Sequence, residues 1–278
     1  MQFTKQQVNL WPAQILCKDA NNYISAAART CYKSEPTKVS EQTDTEFVER
    51  LIRNKHLAML EHGTVILYGK RYKLTAPIVE KYMMNPFSKV IGTTDGHYII
   101  VTNRRVIYEN GWEQDVVNFG VNSNVINNVY TSVLLKDAPL RRTFSVTTTL
   151  QVAMQLIRHR LLSYAMESTR WCNYSKDKFG NQLTFIMPDV KGKIARFFVK
   201  AYLKFCEKLY MFLVKRNKAE IAATILPKCL ATNLVLTGFV DDFKDFFSKR
   251  ASEETGRVLP LMKELASKMQ DLLTTVNE

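Results

Sequence analysis

TTTLQVAMQLIRHRLLSYAMESTRW, residues 147–171, poses the first structural question. Val146, Leu150, Ala153, Ile157 and Leu161 recur at three- and four-residue intervals, the spacing of one helix face. The stretch therefore predicts a helix from about Thr147 to about Leu162 with that stripe buried. On the same wheel Gln151, Gln155, Arg158 and His159 share the opposite face, and Arg160 flanks the stripe. Arg158-His159-Arg160 then forms a cation-rich helix end, which the macrodipole favours by itself. Ser163, Glu167, Ser168, Thr169 and Arg170 follow in a more polar run and open a second reading, a cradle for an anionic small molecule. Guanidinium groups clamp phosphate in bidentate fashion, and hydroxyls complete the shell. Glu167 suits either an arginine partner or a sugar hydroxyl. Tyr164, Trp171 and Tyr174 are either core residues or flat faces beside a ring.

Outward from this segment the chain is rich in helical patterns. DANNYISAAARTCYKS, residues 19–34, and DTEFVERLIRNKHL, residues 44–57, read as helices. TVILYGKRY, opened by Gly63, and HYIIVTNRRVIY, residues 97–108, read as strands bounded by turn residues. Residues 110–130 lack a clean period and are expected to be irregular. Residues 195–216 predict a long basic amphipathic helix with Phe198, Tyr202, Phe205, Leu209 and Phe212 near one stripe. Shorter helices are expected at 219–226, before Pro227, and at 241–250, with a last one at 258–274. The expected fold class is α+β, a modest mixed or antiparallel sheet packed with long helices. No repeat or Gly/Pro-rich linker divides the chain, so residues 1–278 read as a single domain.

The 278 residues are 46% hydrophobic, enough for a sizeable core. No apolar run reaches about eighteen residues, so a membrane span is not expected. The N-terminus lacks the basic-apolar-small order of a signal peptide. Cys17, Cys31, Cys172, Cys206 and Cys229 form no CxxC pair, and free thiols in a reducing cytoplasm are expected. The net charge of +13, from 39 basic and 26 acidic residues, attracts anions. Nucleic acid and phosphorylated small molecules both satisfy that. With only His56, His62, His97 and His159, no multi-histidine metal site is expected. Rossmann, Walker A, HExxH and GxSxG motifs are absent. Glu61-His62-Gly63, inside LAMLEHGTVIL, is either a second functional cluster or a buried, satisfied pair where a helix meets a strand.

Arg158-His159-Arg160 followed seven residues later by Ser168 resembles the signature of the flavin-dependent thymidylate synthases. Gln155 stands three residues before it, and Arg170 and Trp171 follow Ser168. STRWCNYSK, SAAARTCYKS, LEHGTVIL, AEIAATILP and DFFSKR resemble further stretches of that family. The likeness spans 18–83 and 141–270, and roughly 84–140 looks like an insertion relative to shorter members. Departures fall at Ala165-Met166, where many members have Asn-Glu, and at Asn233 and Phe239, where an Arg and an Asn are usual. The segment after Arg250 lacks the usual Ala-His.

The resemblance implies methylation of dUMP to dTMP. Its one-carbon donor is 5,10-methylenetetrahydrofolate and its reductant NADPH or NADH, acting through FAD. It implies flavin contacts at Arg158, His159, Arg160, Glu61 and Cys31. Nucleotide contacts are implied at Gln155, Glu167, Ser168, Thr169, Arg170 and Arg250. Arg250, Ser168 and His159 are the implied catalytic residues, with Arg250 expected to orient and polarise the uracil and Ser168 to hydrogen-bond rather than attack. The family's sites lie between subunits of a homotetramer, and the same is expected here, in the cytoplasm, with no metal, membrane or specific nucleic acid. The competing reading is a nucleic-acid-binding protein on a catalytically inactive version of the same fold, supported by the net charge and the basic helix. No zinc finger or ribonucleoprotein motif accompanies it.

Overall fold

The computed structural model describes residues 1–14, 17–34, 40–122, 140–252 and 256–277. Its centre is an antiparallel ladder of two nine-residue strands, β6 (Arg141–Thr149) and β9 (Ala231–Phe239), in register from Arg141 opposite Phe239 to Thr149 opposite Ala231. β2 (Gln7–Leu10) adds to the β6 edge and β7 (Ser163–Met166) to the β9 edge, which gives the order β2-β6-β9-β7. A second antiparallel sheet, β3-β5-β4, is built from Thr64–Lys70, His97–Asn103 and Lys89–Gly92. β1 (Gln2–Thr4) and β8 (Thr184–Ile186) form a short parallel pair. The fold is α+β, with two antiparallel sheets and a short parallel pair packed against long helices.

The helix expected at 147–162 is shorter and starts later. Thr147, Thr148 and Thr149 finish β6, as three β-branched residues favour. The Thr149 hydroxyl then caps α6 (Leu150–Leu156) by accepting from Val152 N at 3.2 Å, a contact worth about 1 kcal/mol. α6 ends because the chain must turn into β7. The Tyr164 hydroxyl donates to Leu156 O at 2.6 Å, a carbonyl that also accepts from His159 N at 3.0 Å where the chain tightens out of the helix. The buried residues are Val152, Ala153 and Leu156, whereas Ile157 and Leu161 of the expected stripe are exposed. The helical wheel of the sequence reading therefore does not extend to Arg158 and His159.

α6 packs with α9 (Val240–Arg250) and α10 (Pro260–Asn277) against one face of the central sheet. Phe144, Leu156, Phe243, Phe246, Leu265 and Met269 lie in this core. On the other face, the alanines of α1 (Ala20–Tyr32) permit close approach, and Ala27 meets Ala165 and Val235. Ile24 of α1 lies so near Gly63 that a Cβ there would stand 2.6 Å from its methyl, so β3 has to begin after a glycine. α2 (Glu41–Arg53) starts at a Ser40 capping box and ends before the expected Leu57. A 3-10 turn, Leu57–His62, follows it.

β5 stops at Asn103, whose side chain caps α4 (Arg104–Asn110), so Arg104–Tyr108 are helical rather than extended. α5 (Glu113–Phe119) occupies part of the stretch expected to be irregular, and residues 123–130 lie outside the described residues. With α3 (Ala76–Met83), these elements enclose a separate apolar cluster containing Leu67, Leu74, Tyr82, Ile100 and Ile107.

α7 (Lys193–Val214) is the long helix, but its faces are not those expected. Leu203, Cys206, Tyr210 and Val214 point inward. Phe198, Tyr202, Phe205 and Phe212 remain 53–66% exposed, joined by Ile194 and Phe197. α8 (Ala219–Ala222) and a 3-10 turn precede Pro227. No helix among the described residues is long and apolar enough to cross a membrane.

Candidate functional site

Two side-chain clusters flank the central ladder. The first forms where β7 runs into Glu167. Glu167 N donates to Asn233 O at 2.8 Å, which carries the β7–β9 pairing one residue further and buries the carboxylate. That carboxylate accepts from Tyr174 Oη at 2.6 Å and Asn233 Nδ2 at 2.8 Å, and pairs with Lys33 Nζ at 3.1 Å. Asn233 in turn accepts from the Thr147 hydroxyl at 2.8 Å. Burying a charge is costly unless it is paired and hydrogen-bonded, and removing one partner costs about 3–5 kcal/mol. Glu167 is thus the hub of a packed network that joins α1, β7 and β9. Burial and the adjacent Glu167 carboxylate push the Tyr174 phenol well above its usual range.

Ser168 joins the same cluster through the backbone: its N–H donates to Cys31 O at 2.9 Å, and its own carbonyl accepts from Cys172 N at 2.9 Å. The Cys31 thiol contacts Met59 Sδ at 3.9 Å. Burial raises the pKa of Cys31, and burial followed by Glu167 raises Cys172 to about 11. Both stay protonated at neutral pH, so neither is an activated nucleophile. Cys31, Cys172, Cys206 and Cys229 are free thiols, and the Cys17 side chain lies outside the described residues.

The second cluster forms at the turn after α6. Arg250, in the last turn of α9, donates from Nε to His159 Nε2 at 3.0 Å. Phe246 meets the imidazole edge-on at 4.9 Å between centroids. Burial, then Arg250 and Lys249, lower the pKa of His159. The ring is therefore neutral at pH 7 and accepts at Nε2, which leaves the proton on Nδ1. Arg158 and Arg160 are exposed on either side, with no side-chain hydrogen bond or ion pair among the described residues. Gln155 is half-buried in the last turn of α6 and Thr169 half-buried beside Ser168. Arg170 is exposed and meets Glu220 at 3.5 Å.

Glu61 and His62 have separate surroundings. Glu61 pairs with Arg105 Nη1 at 2.6 Å, and its carbonyl accepts from Arg141 Nη2 at 2.8 Å. Arg105 comes from α4, inside the 84–140 stretch. Lys89 of β4, also from that stretch, lies over the Phe239 ring at 4.7 Å and bonds Asp241 at 2.9 Å. His62 is fully buried, its Nδ1 2.8 Å from Thr237 Oγ1, while Nε2 has no hydrogen-bond partner among the described residues. Burial, then the Arg141 charge, lower its pKa to about 3.

The structure thus brings Cys31, Glu167 and Ser168 together, and His159 with Arg250. It leaves Arg158, Arg160 and Arg170 on the surface and ties Glu61 to Arg105. Sequence reading missed Lys33, Arg105 and Arg141. Lys33 carried a signal, standing four residues beyond Arg29 at the end of α1; Arg105 and Arg141 carried none, because Glu61 and Thr64, which they meet, are remote in sequence. No cluster of metal-ligating side chains occurs among the described residues.

Comparison with known proteins adds a sequence relationship. The family model described as thymidylate synthase complementing protein matches residues 89–276. The flavin-dependent thymidylate synthase of Saccharolobus solfataricus is 29% identical over 140 residues, 50% of this chain and 48% of that protein. That of Pyrococcus abyssi is 31% identical over 131 residues, 46% of this chain and 52% of that protein. The chain spans about half the length of the curated relatives it matches. A solved UMP/dUMP methylase, PolB from Streptomyces cacaoi, bound with 5-Br UMP, overlaps 99% of this chain and 91% of its own, with 14% identity and a TM-score of 0.45.

Proposed function

Because the chain belongs to the thymidylate synthase complementing protein family, that of the flavin-dependent thymidylate synthases, we propose that it converts dUMP to dTMP. Methylenetetrahydrofolate supplies the carbon, and NAD(P)H the reducing equivalents through FAD. The observation that carries this reading is the union of Arg250 with His159, 91 positions apart in sequence, beside two arginines that have no partner among the described residues. A guanidinium already held at Nε by a neutral imidazole keeps a fixed direction. Its remaining N–H groups, without a partner among the described residues, suit the uracil oxygens, where negative charge develops as C5 becomes nucleophilic. Its role is to hold that charge, and no proton transfer is required of it.

Arg158 and Arg160 suit the flavin pyrophosphate, because they are exposed, cationic and free of protein partners among the described residues. Cys31 contributes a protonated, partly buried thiol. Glu61 enters as an Arg105-bound carboxylate. FAD, when bound, supplies the hydride chemistry that no side chain can. Gln155, Thr169, Arg170 and Ser168 are assigned to the nucleotide, with Ser168 anchored to α1 by its backbone. Glu167 acts through its network by fixing where β7 ends, and so where Ser168 stands.

Residues 1–278 are taken as one cytoplasmic domain with an insertion at 84–140. The exposed aromatic face of α7 and the surface placement of Arg158 and Arg160 support a homotetramer whose sites lie between subunits. The test is the absorption spectrum of freshly purified protein together with dUMP-dependent dTMP formation. Flavin bands near one FAD per chain and folate-dependent dTMP are expected. Protein that neither retains nor takes up FAD and makes no dTMP would overturn the reading.

A further inference from the structure

Asn22, Ser25 and Arg29 recur at three- and four-residue spacing along α1 and form one face of it, and Lys33, the left-handed C-cap, follows at its end. That face is only partly covered: Asn22 is exposed and Arg29 half-buried, whereas Ser25 is buried. Together with Lys178 and Thr184 it lines an open cleft of about 670 Å³, within the range of small-molecule sites. The lining carries three cations, Arg29, Lys33 and Lys178, against one carboxylate, Asp44.

Two of those cations have no acidic partner among the described residues. Arg29 donates from Nε to Ser25 Oγ at 3.1 Å and lies over the Phe47 ring at 4.5 Å. These two contacts fix the plane of its guanidinium and leave both terminal nitrogens without a partner among the described residues. Lys178 rests over the Phe179 ring at 4.5 Å. Lys33 is shared with the buried Glu167. Asn233, also in the wall, is engaged at its amide nitrogen by Glu167 and at its oxygen by Thr147, whereas Arg29 and Lys178 carry charge that no carboxylate takes up among the described residues.

A preoriented guanidinium fork, a nearby ammonium and a hydroxyl-bearing wall match the charge and the acceptor oxygens of a phosphate. We infer that this cleft binds the phosphate of a phosphorylated small molecule, held by Arg29 and Lys178. Its identification with the dUMP phosphate rests on the thymidylate synthase reading; the phosphate site itself does not.

The experiment is calorimetric titration of the full-length protein and its Lys178→Glu variant with dUMP, deoxyuridine and inorganic pyrophosphate. Lys178 is exposed, so the variant should melt like wild type. Lys73→Glu, at the foot of the other sheet, makes the same change of charge as a control. Binding of dUMP and of pyrophosphate should weaken tenfold or more in Lys178→Glu, with deoxyuridine unaffected and Lys73→Glu like wild type. Arg29→Gln should repeat the effect. Equal dUMP affinity in wild type and Lys178→Glu overturns the cleft assignment and leaves the enzymatic reading standing. Lys178-dependent pyrophosphate binding without any dUMP binding upholds the cleft and overturns dUMP as substrate. Failure of both probes with wild type overturns both.

Discussion

At the scale of single residues, the His159–Arg250 contact separates a catalytic role from a capping one. A cation at the end of α9 is favoured by the helix dipole alone. If Arg250 also stabilises charge on the uracil, Arg250→Lys keeps the fold and the flavin but loses turnover, because a point charge cannot reproduce a planar fork. Loss of a comparable preorganised donor costs about 3 kcal/mol, roughly a hundredfold in rate. Steady-state dTMP formation checks this, and a wild-type kcat would leave only the cap.

His62 yields a second prediction, about pH. Its folded pKa, about 3, lies below the ordinary value of 6.5. The folded protein therefore binds fewer protons than the unfolded chain. Stability is unaffected above about pH 6.5 and falls as the pH drops from there toward about 3, by up to about 1.4 kcal/mol per pH unit. His159, shifted the same way, adds to the loss. Denaturant unfolding between pH 7 and 5 should show this slope, and His62→Asn should flatten it while keeping a polar group near Thr237. An unchanged slope in the variant would mean that His62 is protonated in the folded state.

At the scale of elements, α7 shows how far a sequence pattern reaches. The amphipathic period was legible, and the helix forms within two residues of the expected ends. Which apolar stripe is buried was not legible, since α7 carries two. Leu203, Cys206, Tyr210 and Val214 lie beneath it, and Phe198, Tyr202, Phe205 and Phe212 are left outside. An exposed row of four aromatics on one helix is more than scattered surface apolarity and marks an interaction surface. A Phe198→Asp, Phe205→Asp double variant should shift the assembly to smaller species in sedimentation velocity while the isolated chain keeps its helical content. An unchanged sedimentation coefficient would assign that face another role. The turn after α6 teaches the converse. Periodicity extended a helix through Arg158 and His159, but Thr149 and Tyr164 set its ends through contacts that periodicity does not encode.

At the scale of the whole molecule, a net charge of +13 describes a field and not a ligand. Diffuse attraction to a polyanion is screened within a Debye length of about 8 Å at physiological ionic strength. Binding to random duplex DNA should therefore be weak and vanish between about 50 and 200 mM salt, while dUMP, held at short range, remains bound. Filter binding at the two salt concentrations beside a dUMP titration checks this. Salt-resistant, sequence-selective DNA binding without dUMP binding would favour the nucleic-acid reading.

The amino-acid sequence by itself determined the α+β class, most helices, the β3 strand and the family, because these depend on local periodicity, capping residues and a short motif. It also marked the residues Arg158, His159, Ser168 and Arg250. Only the tertiary structure decided what those residues face. Glu167 became a buried hub, Glu61 acquired Arg105, Arg250 met His159, and one face of α1 was left lining a charged cleft. Each of these pairs residues distant in the chain, or leaves a face uncovered, through the register of β6, β7 and β9 and the packing of helices on them. A period of 3.6 or 2 says which side chains share a face, but not what that face meets.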